Sequence, residues 1–165
     1  MLFNSIEFAI FLPVVFLLYW FVFNKNLRKQ NIFLIIVSYF FYGYWDWRFL
    51  SLIFISSIVD YIVGLKMHNE QEHRKRKMLL LVSIFINLGF LGFFKYFNFF
   101  IDSFIDLFAR FGVTLNEKSL KIILPVGISF YTFQTLSYTI DIYKRKLEPV
   151  NDVFAFFAFV SFFPQ

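Results

Sequence analysis

Long apolar runs separated by short clusters of lysine and arginine constrain this chain more than any other feature. A helix needs roughly 17–25 mostly apolar residues to cross a hydrocarbon layer ~30 Å thick. The sequence offers such runs at about 6–23, 31–47, 48–65, 78–100 and 122–143, and another begins at 153. Of the 165 residues, 59% are hydrophobic and 16% charged, whereas a soluble domain is ~45–50% apolar and ~25% charged. A disordered chain is excluded, because 29 residues are Phe and disorder is poor in aromatics. The absence of cysteine removes thiolate nucleophiles, disulfides and Cys-ligated metals. The sequence therefore predicts an all-α, polytopic transmembrane helical bundle.

The charges punctuate the runs with a consistent sign. Lys25, Arg28 and Lys29 follow the first run, Lys66 and residues 74–77 follow the third, and Lys144, Arg145 and Lys146 follow the fifth. These are alternate connections, so eleven cations fall on one side. Arg48, Arg110, Lys118 and Lys121 fall on the other, and Lys95 lies within the fourth run, set to snorkel outward. Positive loops stay in the cytoplasm, which predicts a multi-pass inner-membrane protein with its N-terminus outside and Glu7 in the outer headgroups. The first run lacks a basic segment before it, so it reads as a retained helix rather than a signal peptide. Residues 101–111 carry Asp102, Ser103, Asp106 and Arg110 on one stripe, and they are too few to span. They predict an interfacial helix on the outer face. The apolar run from 153 meets Pro164-Gln165 without a polar flank, which predicts a truncated chain whose missing part completes fold and function.

Ionisable groups inside a membrane are costly and mark either packing or function. Asp60 reads as an orienting carboxylate within reach of Lys66, or as a group lining a polar cavity. Asp141 stands three residues before Lys144, an interfacial ion-pair spacing. The fifth run is the most polar, with Gly127, Tyr131, Gln134, Tyr138 and Asp141 on one helical stripe. That stripe is either ordinary helix contact or, through Gln134, Tyr138 and Asp141, the wall of a polar tunnel. His68 and His73 lie in a polar basic loop that offers no frame for a general base or a metal. No nucleotide, hydrolase or metal motif appears, so no catalytic residue, metal site or bound cofactor is assigned. The basic run at 74–77 suits anionic lipid or nucleic acid in its chemistry, but beside a membrane span it reads first as a topology signal, and no nucleic-acid partner is assigned.

Specific words in the sequence go further. Met1-Leu2-Phe3-Asn4-Ser5 with Glu7-Phe8 and Phe11-Leu12-Pro13 opens the chain. Ser38-Tyr39-Phe40-Phe41-Tyr42-Gly43, Trp45-Asp46-Trp47-Arg48, Asp60-Tyr61 and Lys95-Tyr96-Phe97-Asn98 follow in order. Leu124-Pro125-Val126-Gly127-Ile128-Ser129-Phe130-Tyr131-Thr132-Phe133-Gln134-Thr135 comes next, and Ser161-Phe162-Phe163-Pro164-Gln165 closes the chain. Together they resemble the N-terminal part of bacterial membrane-bound O-acyltransferases, of the alginate and peptidoglycan O-acetylation type. One departure is Lys144-Arg145, where the family usually has Arg-Gly after its Asp-x-Tyr.

The resemblance implies a multi-helix fold with a central tunnel and an acyl donor such as acetyl-CoA or another acyl thioester. It also implies periplasmic partner proteins that pass the acyl group to an exported polysaccharide. The family's catalytic histidine lies in a later helix, and no residue here matches it. A polytopic transporter or a non-catalytic assembly subunit is the alternative reading, since intramembrane polar groups suit substrate pathways too.

Overall fold

A computed structural model describes residues 5–44, 47–110 and 128–163, and it contains no strand among the described residues. Helix α1 is Ile6–Leu17, capped by Ser5 Oγ, which accepts from Phe8 N at 3.2 Å. It runs on as a π-helical turn at Leu18–Val22. Helix α2 is Leu27–Gly43, where Asn26 Oδ1 accepts from Arg28 N at 2.9 Å and so satisfies an orphan donor of the first turn. Helices α3 (Trp47–Asn69), α4 (His73–Arg110), α5 (Ile128–Tyr143) and α6 (Val153–Val160) follow.

Two segments, Leu50–Asn69 and His73–Phe97, are long and apolar enough to cross a membrane, and Ile6–Val22 is a shorter apolar helix. Side-chain placement is inverted relative to a soluble protein. Ile6, Phe21, Phe85 and Phe99 are exposed, while Ser38, Ser56, Ser57, Asp60, Ser83, Asn87, Thr132, Thr135 and Thr139 are buried. Such an apolar exterior is a liability in water and costs little in lipid. The protein is an all-α membrane protein.

Two expectations need correction. The separate interfacial helix at 101–111 does not form, because α4 continues unbroken to Arg110. No Gly or Pro lies between Phe93 and Arg110 to end it. At 1.5 Å per residue its 38 residues reach about 57 Å, well beyond the ~30 Å hydrocarbon layer. The side chain of Asp106 lies outside the described residues, as do the first residues of the fifth run, 122–127, with Pro125 and Gly127.

The run from 153 also falls short of a span. Helix α6 is only eight residues long and ends at Ser161, which donates through both its N and its Oγ to Phe157 O. Arg28, in the first turn of α2, stacks on Phe154 at 4.9 Å, and Phe163 N donates to Ser38 Oγ at 3.2 Å. Ser38 lies about 16 Å along α2 from Leu27. Helix α6 therefore dips alongside roughly half the depth of α2 and stops there.

Its buried face meets the main core, where Val63, Met67, Tyr138, Ile142, Phe156, Phe157 and Val160 pack together. Gly64 lets α3 and α5 approach closely, since a Cβ there would sit 3.1 Å from both Ile142 Cδ1 and Tyr138 Cε1. A second cluster joins α1 and α2 to the turn after α6 through Val15, Val37, Phe41 and Phe163.

The three basic connections gather at one end of the bundle. Arg145 Nη2 donates to Gln71 Oε1 at 3.4 Å, and Arg76 reaches the end of α5. Helix α5 closes in a Schellman motif: Lys146 N donates to Asp141 O at 2.9 Å and Arg145 N to Ile142 O at 3.0 Å. Arg145 takes the left-handed position of that motif, with φ 57°. A side chain there is strained by about 1 kcal/mol relative to glycine. The turn is thus kept although the glycine is absent. Arg145→Gly is expected to stabilise the protein by about 1 kcal/mol, read from thermal unfolding in detergent. A lower melting temperature would show that the exposed contact to Gln71 outweighs the strain.

Candidate functional site

Helix α5 presents two polar faces that do different things. Thr132, Thr135 and Thr139 are buried against α3 and α4. Gln134, Ser137, Tyr138 and Asp141 instead line an open groove of about 530 Å³, with Phe130, Phe133, Leu147 and Phe159 as its apolar walls.

The buried face is organised by Asp60, which is 0% exposed. Ser83 Oγ donates to Asp60 Oδ1 at 2.6 Å, and Asn87 Nδ2 lies 2.9 and 2.8 Å from the two carboxylate oxygens. Asn87 Nδ2 also donates to Ser83 O at 3.0 Å, while Asn87 Oδ1 accepts from Ser56 Oγ at 2.8 Å and Thr135 Oγ1 at 3.3 Å. Three helices are thereby joined through one amide and one carboxylate. The proposed reach of Lys66 to Asp60 is not made: Lys66 is exposed and Asp60 is turned inward to α4. The reason is periodicity. Ser56 and Asp60 lie four apart on α3, and Ser83 and Asn87 four apart on α4, so donors and acceptors meet at a helix contact. Local propensity pairs Asp60 with nothing on its own helix.

The groove face is held from the α6 side. Gln134 Nε2 donates to Phe159 O at 3.0 Å, one of the carbonyls that the end of α6 leaves without an intrahelical partner. Gln134 Oε1 is buried and has no hydrogen-bond partner. Tyr138 is buried, and its hydroxyl accepts from Val150 N at 3.2 Å, which fixes the segment leading into α6. Tyr61 OH donates to Asn151 O at 2.7 Å beside it. Asp141 is half-buried and forms no ion pair with Lys144, whose side chain is exposed beyond the end of the helix. The groove lining contains one carboxyl group, Asp141, the neutral polar groups of Gln134, Ser137 and Tyr138, and no cation.

Arg76, assigned from sequence to a topology signal, is a structural group. It is buried, and its Nη2 donates to Ile142 O at 3.2 Å and Tyr143 O at 2.7 Å while its guanidinium lies over the Tyr143 ring. A cation at a helix C-terminus is favoured by the helix dipole. His68 and His73 are exposed, and His73 Nε2 lies 3.1 Å from Tyr143 OH. In the α3–α4 turn, Glu70 Oε1 accepts from Glu72 N and Gln71 N, and the Glu72 bond chiefly holds that carboxyl below its usual range. Lys95 is exposed, with Nζ 5.9 Å from the Tyr96 ring. Of the fourth-run phenylalanines, Phe93 and Phe100 are exposed and Phe94 and Phe97 half-buried. Among the described residues no three His, Asp or Glu side chains gather as a metal site.

Polar side chains turned inward, an apolar exterior and a half-depth helix define a helical membrane protein with a polar interior. Over its whole length the chain is 36% identical, across 167 residues, to the probable alginate O-acetylase AlgI of Pseudomonas aeruginosa, of which it covers 31%. It is 33% identical, across 192 residues, to the peptidoglycan O-acetyltransferase of Helicobacter pylori, of which it covers 36%. The probable alginate O-acetylase AlgI of Pseudomonas putida is 35% identical across 167 residues, with 34% of its length covered. The chain spans about one third of the length of these curated relatives. No family model matches it, and no solved structure does. Along its whole length the chain is similar to proteins named as alginate and peptidoglycan O-acetylating enzymes.

Proposed function

We propose that this chain forms part of an inner-membrane O-acyltransferase that carries acetyl groups across the membrane to an exported polysaccharide such as alginate or peptidoglycan. The observation that carries the reading is similarity along the whole chain to proteins named for that reaction. The donor is acetyl-CoA or another cytoplasmic acyl thioester, and periplasmic proteins complete the delivery. The chain supplies scaffold and one wall of the acyl path. Gln134, Tyr138 and Asp141 line that wall, supported by the groove that they share. The catalytic histidine belongs to a later helix of the full protein. Deleting the gene and measuring ester-linked acetate on surface glycans is the test. Loss of acetate is expected, and unchanged acetylation under expressing conditions would sink the reading in favour of a transporter or assembly subunit.

The same reading places the N-terminus outside and the basic connections in the cytoplasm. The gathering of residues 25–29, 66–77 and 144–146 at one end of the bundle supports it. A cysteine introduced at Glu72 is expected to resist a membrane-impermeant periplasmic reagent, and one at Lys118, outside the described residues, to react. The reverse pattern would invert the topology.

A further inference from the structure

Beyond acyl transfer, we infer that α1, its π-helical turn and α2 form a binding site for one anionic phospholipid. An apolar groove of about 280 Å³ lies between them, lined by Leu12, Phe16, Trp20, Leu34, Phe162 and Phe163 among others. That is small for a soluble cofactor, whose sites run ~300–1,000 Å³. The outer wall is open, since Leu12, Phe16 and Trp20 are all exposed. In a membrane protein, lipid acyl chains are the medium beside such a wall.

The chemistry at the groove's end selects the headgroup. Tyr19 and Trp20 sit in the π-helical turn, a distortion that recurs at functional sites. Gln30 is buried, with its Nε2 3.5 Å from Tyr19 O, so the start of α2 lies against this end of the groove. The connection between the helices carries Lys25 and Lys29, both exposed, and residues 21–35 contain no acidic side chain. Arg28, their neighbour, is engaged by the Phe154 ring. The other basic connections differ. Lys75 is paired with Glu72 at 2.9 Å, and the pocket beside it includes Glu70. Asp141 lines the groove beside residues 144–146. The α1–α2 end thus joins an apolar slot to two exposed lysines with no acidic residue in the connection or the adjoining turns. An acyl chain in the slot places a phosphate-bearing anionic headgroup at the level of Lys25 and Lys29, where an interfacial Trp also favours the polar boundary.

The test is lipid retention by the full chain purified from nanodiscs holding equal phosphatidylglycerol and phosphatidylethanolamine, read by native mass spectrometry. Preferential retention of phosphatidylglycerol is expected. Lys25→Gln with Lys29→Gln should lower that preference by roughly thirtyfold, at about 1 kcal/mol for each lysine. Lys144→Gln with Lys146→Gln should leave it unchanged. Leu34→Trp should fill the slot and lose the retained lipid. Equal retention of the two lipids by the unaltered chain would overturn the inference. An equal drop in both lysine pairs would also overturn it, by showing a diffuse charge effect. Should Leu34→Trp misfold, the exposed lysine variants still decide the matter.

Discussion

Asn87→Leu is expected to destabilise the protein by about 2–4 kcal/mol, among the largest single effects available in this bundle. The amide donates to both oxygens of Asp60 and accepts from Ser56 and Thr135. Leucine removes all of these at once. An individual interhelical hydrogen bond in a membrane protein averages only ~0.6 kcal/mol, so counting lost bonds predicts a modest effect. Most of the loss comes instead from the Asp60 carboxyl group, left buried with fewer partners, because a buried polar group deprived of a hydrogen bond costs ~1–3 kcal/mol. The double variant Asp60→Leu with Asn87→Leu should be closer to the unaltered protein than Asn87→Leu alone, since replacing both partners leaves less unsatisfied. Unfolding in mixed micelles of the unaltered protein, Asp60→Leu, Asn87→Leu and the double variant closes the cycle. Additive losses would show that Asp60 and Asn87 do not act as a unit.

Gln134→Leu is expected to lower acetyl transfer by about tenfold in the full-length protein, while Phe97→Leu stays within about twofold. Leucine at 134 deprives Phe159 O of its donor at half-depth, where unpaired backbone is costly. It also removes a polar group from the groove that Tyr138 and Asp141 share. Phe97 is a half-buried ring beside Phe93 on α4, and leucine keeps most of that apolar contact. Acetate released from glycans, compared at equal membrane expression, measures both. Equal activity for the two variants would reduce the polar groove to helix packing.

The hydrophobic runs make the helices legible in the sequence, because only lipid-length apolar segments and flanking cations are needed to see them. Continuity is harder to read. The stripe of Asp102, Ser103 and Arg110 suggests a separate surface helix, yet without a breaker between Phe93 and Arg110 the backbone bonds of α4 carry on. The short run at 153 suggests the start of a full span because apolar composition does not encode where a helix stops. That stop is marked locally by Ser161 and is completed by Ser38 and Gln134, far away in sequence. Asp60 stands out in the sequence as a costly carboxylate, but its partners are on other helices and not at Lys66 on its own. The signal that points to them is the four-residue repeat of polar side chains on two helices, Ser56 with Asp60 and Ser83 with Asn87. On α5 the stripe of Gln134, Tyr138 and Asp141 is the conspicuous one, whereas Thr132, Thr135 and Thr139 are the more deeply buried set.

The brevity of α6 sets an order of events during biogenesis. Eight residues rise only about 12 Å, too little to be released sideways into the bilayer as an independent segment. Its terminal carbonyl is satisfied by Gln134 of α5, and the amide of Phe163 by Ser38 of α2. Neither partner is in place until α2 and α5 have both packed against α3. Helix α6 is therefore held by groups that the earlier helices supply only once assembled, so its seating reports on their correct assembly.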